Sequence, residues 1–158
     1  NEKDRDIEFV FMGSGRGYER MAQERARMGL DNIRFIPFQP GNKYRKIMES
    51  GDVHIISMKD DVLGYLMPSR IYDIFAVKRP CLFIGPKKCE ITAILEKYNA
   101  GLQIDQGKPE ILAQEIRNLR DDGAAWYQYQ DGAMQAGQDY VPAASLKKWM
   151  KLISTLVK

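Results

Sequence analysis

Leu63-Gly64-Tyr65-Leu66-Met67-Pro68-Ser69-Arg70-Ile71-Tyr72-Asp73-Ile74-Phe75-Ala76-Val77-Lys78-Arg79-Pro80 reads as a glycine loop that runs into a helix and then into a strand. Ile71, Ile74 and Phe75 recur at helical spacing, and so narrow an apolar stripe belongs to a helix lying on a sheet. The strand that follows, Pro80 to Ile84, is apolar throughout rather than alternating, as expected of a strand covered on both faces.

The same alternation continues outward in both directions. Further short β-rich runs lie at Ile7 to Met12, Ile33 to Ile36, Val53 to Ser57 and Leu102 to Ile104. Between them Tyr18, Met21, Ala22 and Arg25 mark a helix that Gly29 suits to end. Tyr44, Ile47 and Met48 mark a shorter one before Gly51, and Ile91, Ile94, Leu95 and Tyr98 another that stops near Gly101. Strands separated by helical crossovers predict an α/β fold, a Rossmann-like doubly wound parallel sheet. After residue 104 only helices are expected: Pro109 to Arg120, Ala124 to Asp139 and Ser145 to Val157. The last carries Leu146, Trp149, Met150, Ile153 and Leu156, an apolar stripe that calls for cover.

At 158 residues, with no internal repeat and no low-complexity linker, the chain suits one domain. A hydrophobic share of 44% with 28% charged residues excludes a disordered or fibrous chain. The formal charge of +3 is too small to imply nucleic acid as a partner. Local basic excess falls at Lys78, Arg79, Lys87 and Lys88 and from Lys147 to Lys158, where a solvated face is the simplest reading. Cys81 and Cys89 form no CxxC, and His54 is the single histidine, so neither a disulfide framework nor a metal site is expected, and a reduced, cytoplasmic setting fits. No apolar run approaches the roughly 18 residues of a membrane span. The chain opens with NEKDRDIEF, charge followed directly by a strand, the start expected of a piece cut from something longer.

Two segments have the chemistry of an anion site. Gly13-Ser14-Gly15-Arg16-Gly17 follows the first strand and opens the first helix, where backbone N–H groups of an α/β fold meet phosphate. The dinucleotide fingerprint wants a glycine where Tyr18 stands, and Pro37 and Phe38, not an acid, follow the second strand, so a nicotinamide-binding domain is disfavoured. In the second segment, Ser69 is expected to cap its helix and Arg70 lies in the first turn, bringing a hydroxyl, a guanidinium and free N–H groups to one point that suits a diphosphate. Asp73 follows on the same face and can accept hydrogen bonds from a pair of sugar hydroxyls.

Over roughly residues 7 to 120 the order of features resembles the GT-B glycosyltransferases of family 4: a strand ending in GSG, then NIRFIPF, SGDVHIIS, PSRIYDIFAVKRP, and AGLQID leading into PEILAQEI. Pro68-Ser69-Arg70-Ile71-Tyr72 is similar to the branch that transfers N-acetylated amino sugars from UDP donors. The resemblance implies a donor-binding half, with a nucleotide sugar, a UDP-sugar, as substrate and no cofactor or metal. Asp73 then falls where the family's second glutamate holds the donor ribose, while Tyr65 replaces the first, whose contact to the sugar is either unfilled or passes to Gly64 and Tyr65 backbone groups. Phe38, after Ile36 and Pro37, falls where the base stacks, and Lys78 replaces a frequent glycine. The expected donor set is Gly13, Ser14, Gly15, Pro37, Phe38, Gly64, Tyr65, Pro68, Ser69, Arg70 and Asp73, with no catalytic side chain and no role for His54. The family's basic pair for the diphosphate and its N-terminal acceptor domain are expected outside this chain, so these 158 residues alone are expected to transfer no sugar. The family's acceptors are often lipid-linked, which implies peripheral association of the parent enzyme with the inner face of the membrane. The alternatives are a GT-B UDP-sugar 2-epimerase domain and a non-catalytic nucleotide-sugar-binding module.

Overall fold

The computed structural model describes residues 4–156, and Pro142 by its backbone alone. The elements run β1 (Phe9–Met12), α1 (Arg16–Met28), β2 (Ile33–Ile36), α2 (Gly41–Ser50), β3 (His54–Ser57), α3 (Arg70–Ala76), β4 (Cys81–Ile84), α4 (Glu90–Tyr98), β5 (Gly101–Ile104), α5 (Pro109–Asp121), α6 (Gly123–Asp139) and α7 (Pro142–Leu156). All five expected strands form, each beginning at or within two residues of the expected start. Ile7 is spent on a turn, its N–H bonding the Asp4 carbonyl at 3.1 Å. Pro80 has no N–H to give a ladder, so β4 begins at Cys81. The expected helix end at Val157, with Lys158, lies outside the described residues, as do Asn1 to Lys3.

The chain divides into two compact units, Asn1–Ile47 and Met48–Lys158, with the boundary inside α2. Every strand pairing is parallel, as expected. The pairings form a two-stranded sheet, β1–β2, and a three-stranded one, β3–β4–β5, rather than one sheet of five. Apolar runs show that a segment is a strand but not which neighbour it takes, so this division is invisible to periodicity.

In the first unit Phe9 to Met12 pair in register with Ile33 to Ile36. Phe11 stacks on Phe35 at 5.5 Å, and Tyr18 of α1 meets Phe35 edge-on at 4.9 Å. Glu8 and Arg34 bridge the strands at 2.7 Å, an exposed pair worth little to stability. No residue from 4 to 47 is fully buried.

The second unit has a true core. Cys81 and Phe83 of β4 point into a cluster with Ile71, Ile74 and Phe75 of α3, Ile91 and Leu95 of α4, and Ala133 and Ala136 of α6. Leu82 and Ile104 take the other face, under Leu119, Leu112 and Ile116 of α5. This sheet is therefore covered on both sides, as its unbroken apolar strands predict. α6 approaches closely because its inner face is small. A Cβ on Gly132 would stand 2.2 Å from the Tyr98 carbonyl oxygen, and one on Gly137 2.8 Å from that of Phe75. By contrast, the expected stripe on α7 is uncovered among the described residues, with Trp149 63% and Leu156 75% exposed.

One clamp fixes the N-terminal ends of β3 and β4. Arg79 donates from Nε to the Gly51 carbonyl at 2.9 Å and from Nη2 to that of Glu49 at 2.7 Å. Its guanidinium lies 5.8 Å from the Trp126 ring, whose Nε1 donates to the Asp52 carbonyl at 3.0 Å. Beside it, Lys78 ends α3 at φ 56°, with its N–H on Phe75 and the Arg79 N–H on Ile74. Lys78 thus holds the left-handed conformation that glycine adopts without steric cost. Lys78→Gly should stabilise the chain by roughly 0.5 to 1 kcal/mol, read as a higher urea midpoint at unchanged slope. A lower midpoint would refute it.

Candidate functional site

The C-terminal ends of β3, β4 and β5 feed the loops after residues 57, 84 and 104, the edge where open parallel sheets take ligands. A cavity of about 400 Å³ opens between the Leu63–Pro68 loop and Cys89-Glu90-Ile91, which begin α4. Gly64, Tyr65 and Pro68 of the expected set line it together. Gly64 turns at φ 84°, and Tyr65 is 92% exposed. Thr92 Oγ1, buried, donates to the Pro86 carbonyl at 3.0 Å. Its one hydrogen is thereby used, so the Cys89 thiol, 3.4 Å away, donates to it, and the turn into α4 is fixed.

A second cavity of about 420 Å³ is lined by Asp60, Lys87, Lys88, Asp105 and Gln106 along with Gly85 and Pro86. Lys87 pairs with Asp105 at 3.0 Å, and Gln106 Nε2 donates to Asp60 at 2.8 Å. The Gln103 amide, 3.0 Å from Asp105, and then Lys87 hold the Asp105 carboxyl below its ordinary pKa.

Ser69, Arg70 and Asp73 are exposed at the start of α3 and line neither cavity. The expected cap at Ser69 does not form. Ser69 is already helical at φ −60°, ψ −15°, its side chain caps nothing, and the Ile71 N–H bonds the Pro68 carbonyl. A capping side chain needs an extended backbone, which Ser69 does not have. Its hydroxyl is consequently not engaged by the helix end.

Gly13, Ser14, Gly15, Pro37 and Phe38 belong to the first unit. The Gly13 N–H donates to the Ile36 carbonyl at 3.1 Å, which sets the GSG turn beside the end of β2 where Pro37 and Phe38 begin. Gly13 and Gly15 sit at φ 154° and 106°, with nothing within 4 Å of a built Cβ. Conformation, rather than close packing, is what demands glycine there. Phe38 is 63% exposed and lies 6.3 Å from the Tyr44 ring. The expected residues thus fall into two sets, one in each unit.

His54 donates from Nε2 to the Met48 carbonyl at 2.9 Å, since a carbonyl can only accept. Burial lowers its pKa and keeps the ring neutral, in line with a packing residue. Lys87 and Lys88 stood out as local basic excess, but Cys89 and Glu90 were not anticipated as site residues. The available signal was positional: Gly85 to Cys89 follow an apolar strand just as Met58 to Ser69 follow another, and ligand loops follow parallel strands.

No protein-family model matches the chain. The Escherichia coli (strain K12) protein WcaI, named for glycosyl transfer in colanic acid biosynthesis, is 24% identical over 96 residues. That alignment covers 61% of this chain and 24% of WcaI, so the chain spans about a quarter of the curated relative's length. Among solved structures, Anabaena Alr3699/HepE in complex with UDP superposes with a TM-score of 0.76 at 15% identity, over 96% of this chain and 42% of that one. WaaG, a glycosyltransferase involved in lipopolysaccharide biosynthesis, superposes with a TM-score of 0.67 at 14% identity, over 90% of this chain and 36% of that one.

Proposed function

We propose that this chain, a GT-B glycosyltransferase-like domain of Rossmann-like α/β fold, is the donor-binding part of a glycosyltransferase. The donor is a nucleotide diphosphate sugar, a UDP-sugar, and the product a polysaccharide or other glycoconjugate. The observation that carries this reading is a fold shared over 96% of the chain with a protein solved bound to UDP. The sequence relative named as a glycosyl transferase supports it independently.

In this reading the leaving diphosphate gathers negative charge as the glycosidic bond breaks. Arg70 and the Ser69 hydroxyl stabilise that charge, a role that needs no proton transfer and no metal. Asp73 accepts from the ribose hydroxyls. The acceptor is held by a separate domain, and the setting is cytoplasmic, with peripheral association where acceptors are lipid-linked. Among the described residues no helix is long and apolar enough to cross a membrane. The epimerase alternative is not favoured, because proton transfer at carbon needs an acid–base group and the half-buried His54 is engaged with the Met48 carbonyl.

UDP titrated to millimolar concentration should release heat and raise the unfolding temperature, by about 1.4 kcal/mol of stabilisation at tenfold above the Kd. Absence of both effects, or a preference for NAD over UDP, would refute the reading.

A further inference from the structure

We propose that α7 lies flat on an anionic lipid bilayer, with its apolar face in the acyl boundary and its lysines on the headgroup phosphates. Acceptor chemistry alone assigned the peripheral association named above no surface; α7 gives it one, independently of the donor reading.

At about 3.6 residues per turn, Leu146, Trp149, Met150, Leu152, Ile153 and Leu156 share one arc of roughly 160°, and no charged residue falls within it. Lys147, Lys148 and Lys151 all lie outside that arc. Lys148 borders it on the Leu152 side and Lys147 on the Met150 side, so both edges are basic. No Asp or Glu follows Asp139, and nothing on the helix offsets that charge. Every residue from Ser145 to Leu156 is exposed.

The chemistry selects among the surfaces that could cover such a face. A helix of 15 residues with three lysines is too short and too charged to span a bilayer. A second copy packed face to face would set the bordering lysines of one helix against those of the other, with no acid on either to offset them. An anionic bilayer meets both demands at once. The lysine stems run along the edges of the apolar arc and put their ammonium groups at phosphate depth, while Trp149 takes the boundary, ring buried and Nε1 wet. The Ser154 and Thr155 hydroxyls donate back to the Lys151 and Leu152 carbonyls at 2.7 and 2.6 Å, so they bring no unmet donor to the interface. The helix is also rooted: Tyr140, just before it, packs on the core, 5.4 Å from the Tyr72 ring of α3 and edge-on to Tyr98 of α4 at 6.1 Å.

The test floats the 158-residue chain with vesicles of phosphatidylcholine alone and of two parts phosphatidylcholine to one part phosphatidylglycerol. Wild type should float with the anionic vesicles far more strongly than with the neutral ones, and salt near 1 M, where the screening length is about 3 Å, should release it. Lys147→Gln, Lys148→Gln and Lys151→Gln combined should weaken binding roughly 100-fold, about fivefold per lysine, and the same three changed to Arg should bind as wild type. Circular dichroism should be unchanged in both, because all three side chains are exposed. Tryptophan emission should shift to the blue on anionic vesicles, and Trp149→Phe should abolish the shift, since Trp126 is held beside Arg79. No flotation with anionic vesicles, or flotation indifferent to the lysines and to Trp149, would overturn the proposal. So would a dimer in sedimentation that shields Trp149 from acrylamide without lipid, or the same shielding in the parent enzyme, because each gives the face another cover. No nucleotide is present, so none of these results bears on the donor reading.

Discussion

Gly101→Ala should leave the chain without a native unfolding transition. Gly101 opens β5 opposite Cys81 at φ 148°, and a Cβ there would stand 1.8 Å from the Cys81 carbonyl oxygen. That oxygen belongs to the central strand, and Cys81 is fully buried, so neither partner has room to move. A clash with buried backbone is among the few mechanisms that exceed about 4 kcal/mol, a large part of the roughly 5 to 15 kcal/mol by which domains are stable. Gly107 is the control. It also has positive φ, 72°, but nothing lies within 4 Å, so alanine there should cost only about 1 to 2 kcal/mol. Thermal melts followed by circular dichroism separate the two, and a Gly101→Ala melt within a few degrees of wild type would contradict the packing described.

Arg70→Ala should weaken UDP by roughly ten- to 150-fold and leave uridine unchanged, the loss of a charge-assisted contact to phosphate worth about 1.5 to 3 kcal/mol. Asp73→Ala should weaken UDP and uridine alike, because the ribose is common to both. Arg70 is exposed at the start of α3, so its truncation should alter stability by no more than about 0.5 kcal/mol and folding will not confound the affinities. Equal losses of uridine and UDP on Arg70→Ala, or none of either on Asp73→Ala, would show that the residue roles implied by the family resemblance do not hold here.

Strands and helices were legible in the sequence because an apolar run or a narrow stripe is a local property. Cys81 to Ile84 and the Ile71, Ile74, Phe75 stripe could be read with no knowledge of their neighbours. What depended on neighbours was not legible. α6 looked like an ordinary helix, yet Gly132 and Gly137 matter because carbonyls of Tyr98 and Phe75 pass beside them. The sheet divides between Ile36 and His54 for reasons of pairing that neither run reveals. At the site, Gly64, Tyr65 and Pro68 could be found from one continuous segment, whereas Glu90 joins them across 22 residues of chain and has no motif of its own. Ser69 failed as a cap for a similar reason: residue type favours the role, but backbone conformation decides it.

The Arg79 clamp on Gly51, Glu49 and Trp126 holds the N-terminal ends of β3 and β4, while Leu63 to Pro68 and Lys87 to Glu90 hang from the C-terminal ends. Evolutionary change in the two places is therefore uncoupled. A lineage can rewrite the loops, and with them the ligand accepted, while the strand ends stay pinned, so selectivity is free to drift under selection that stability does not oppose.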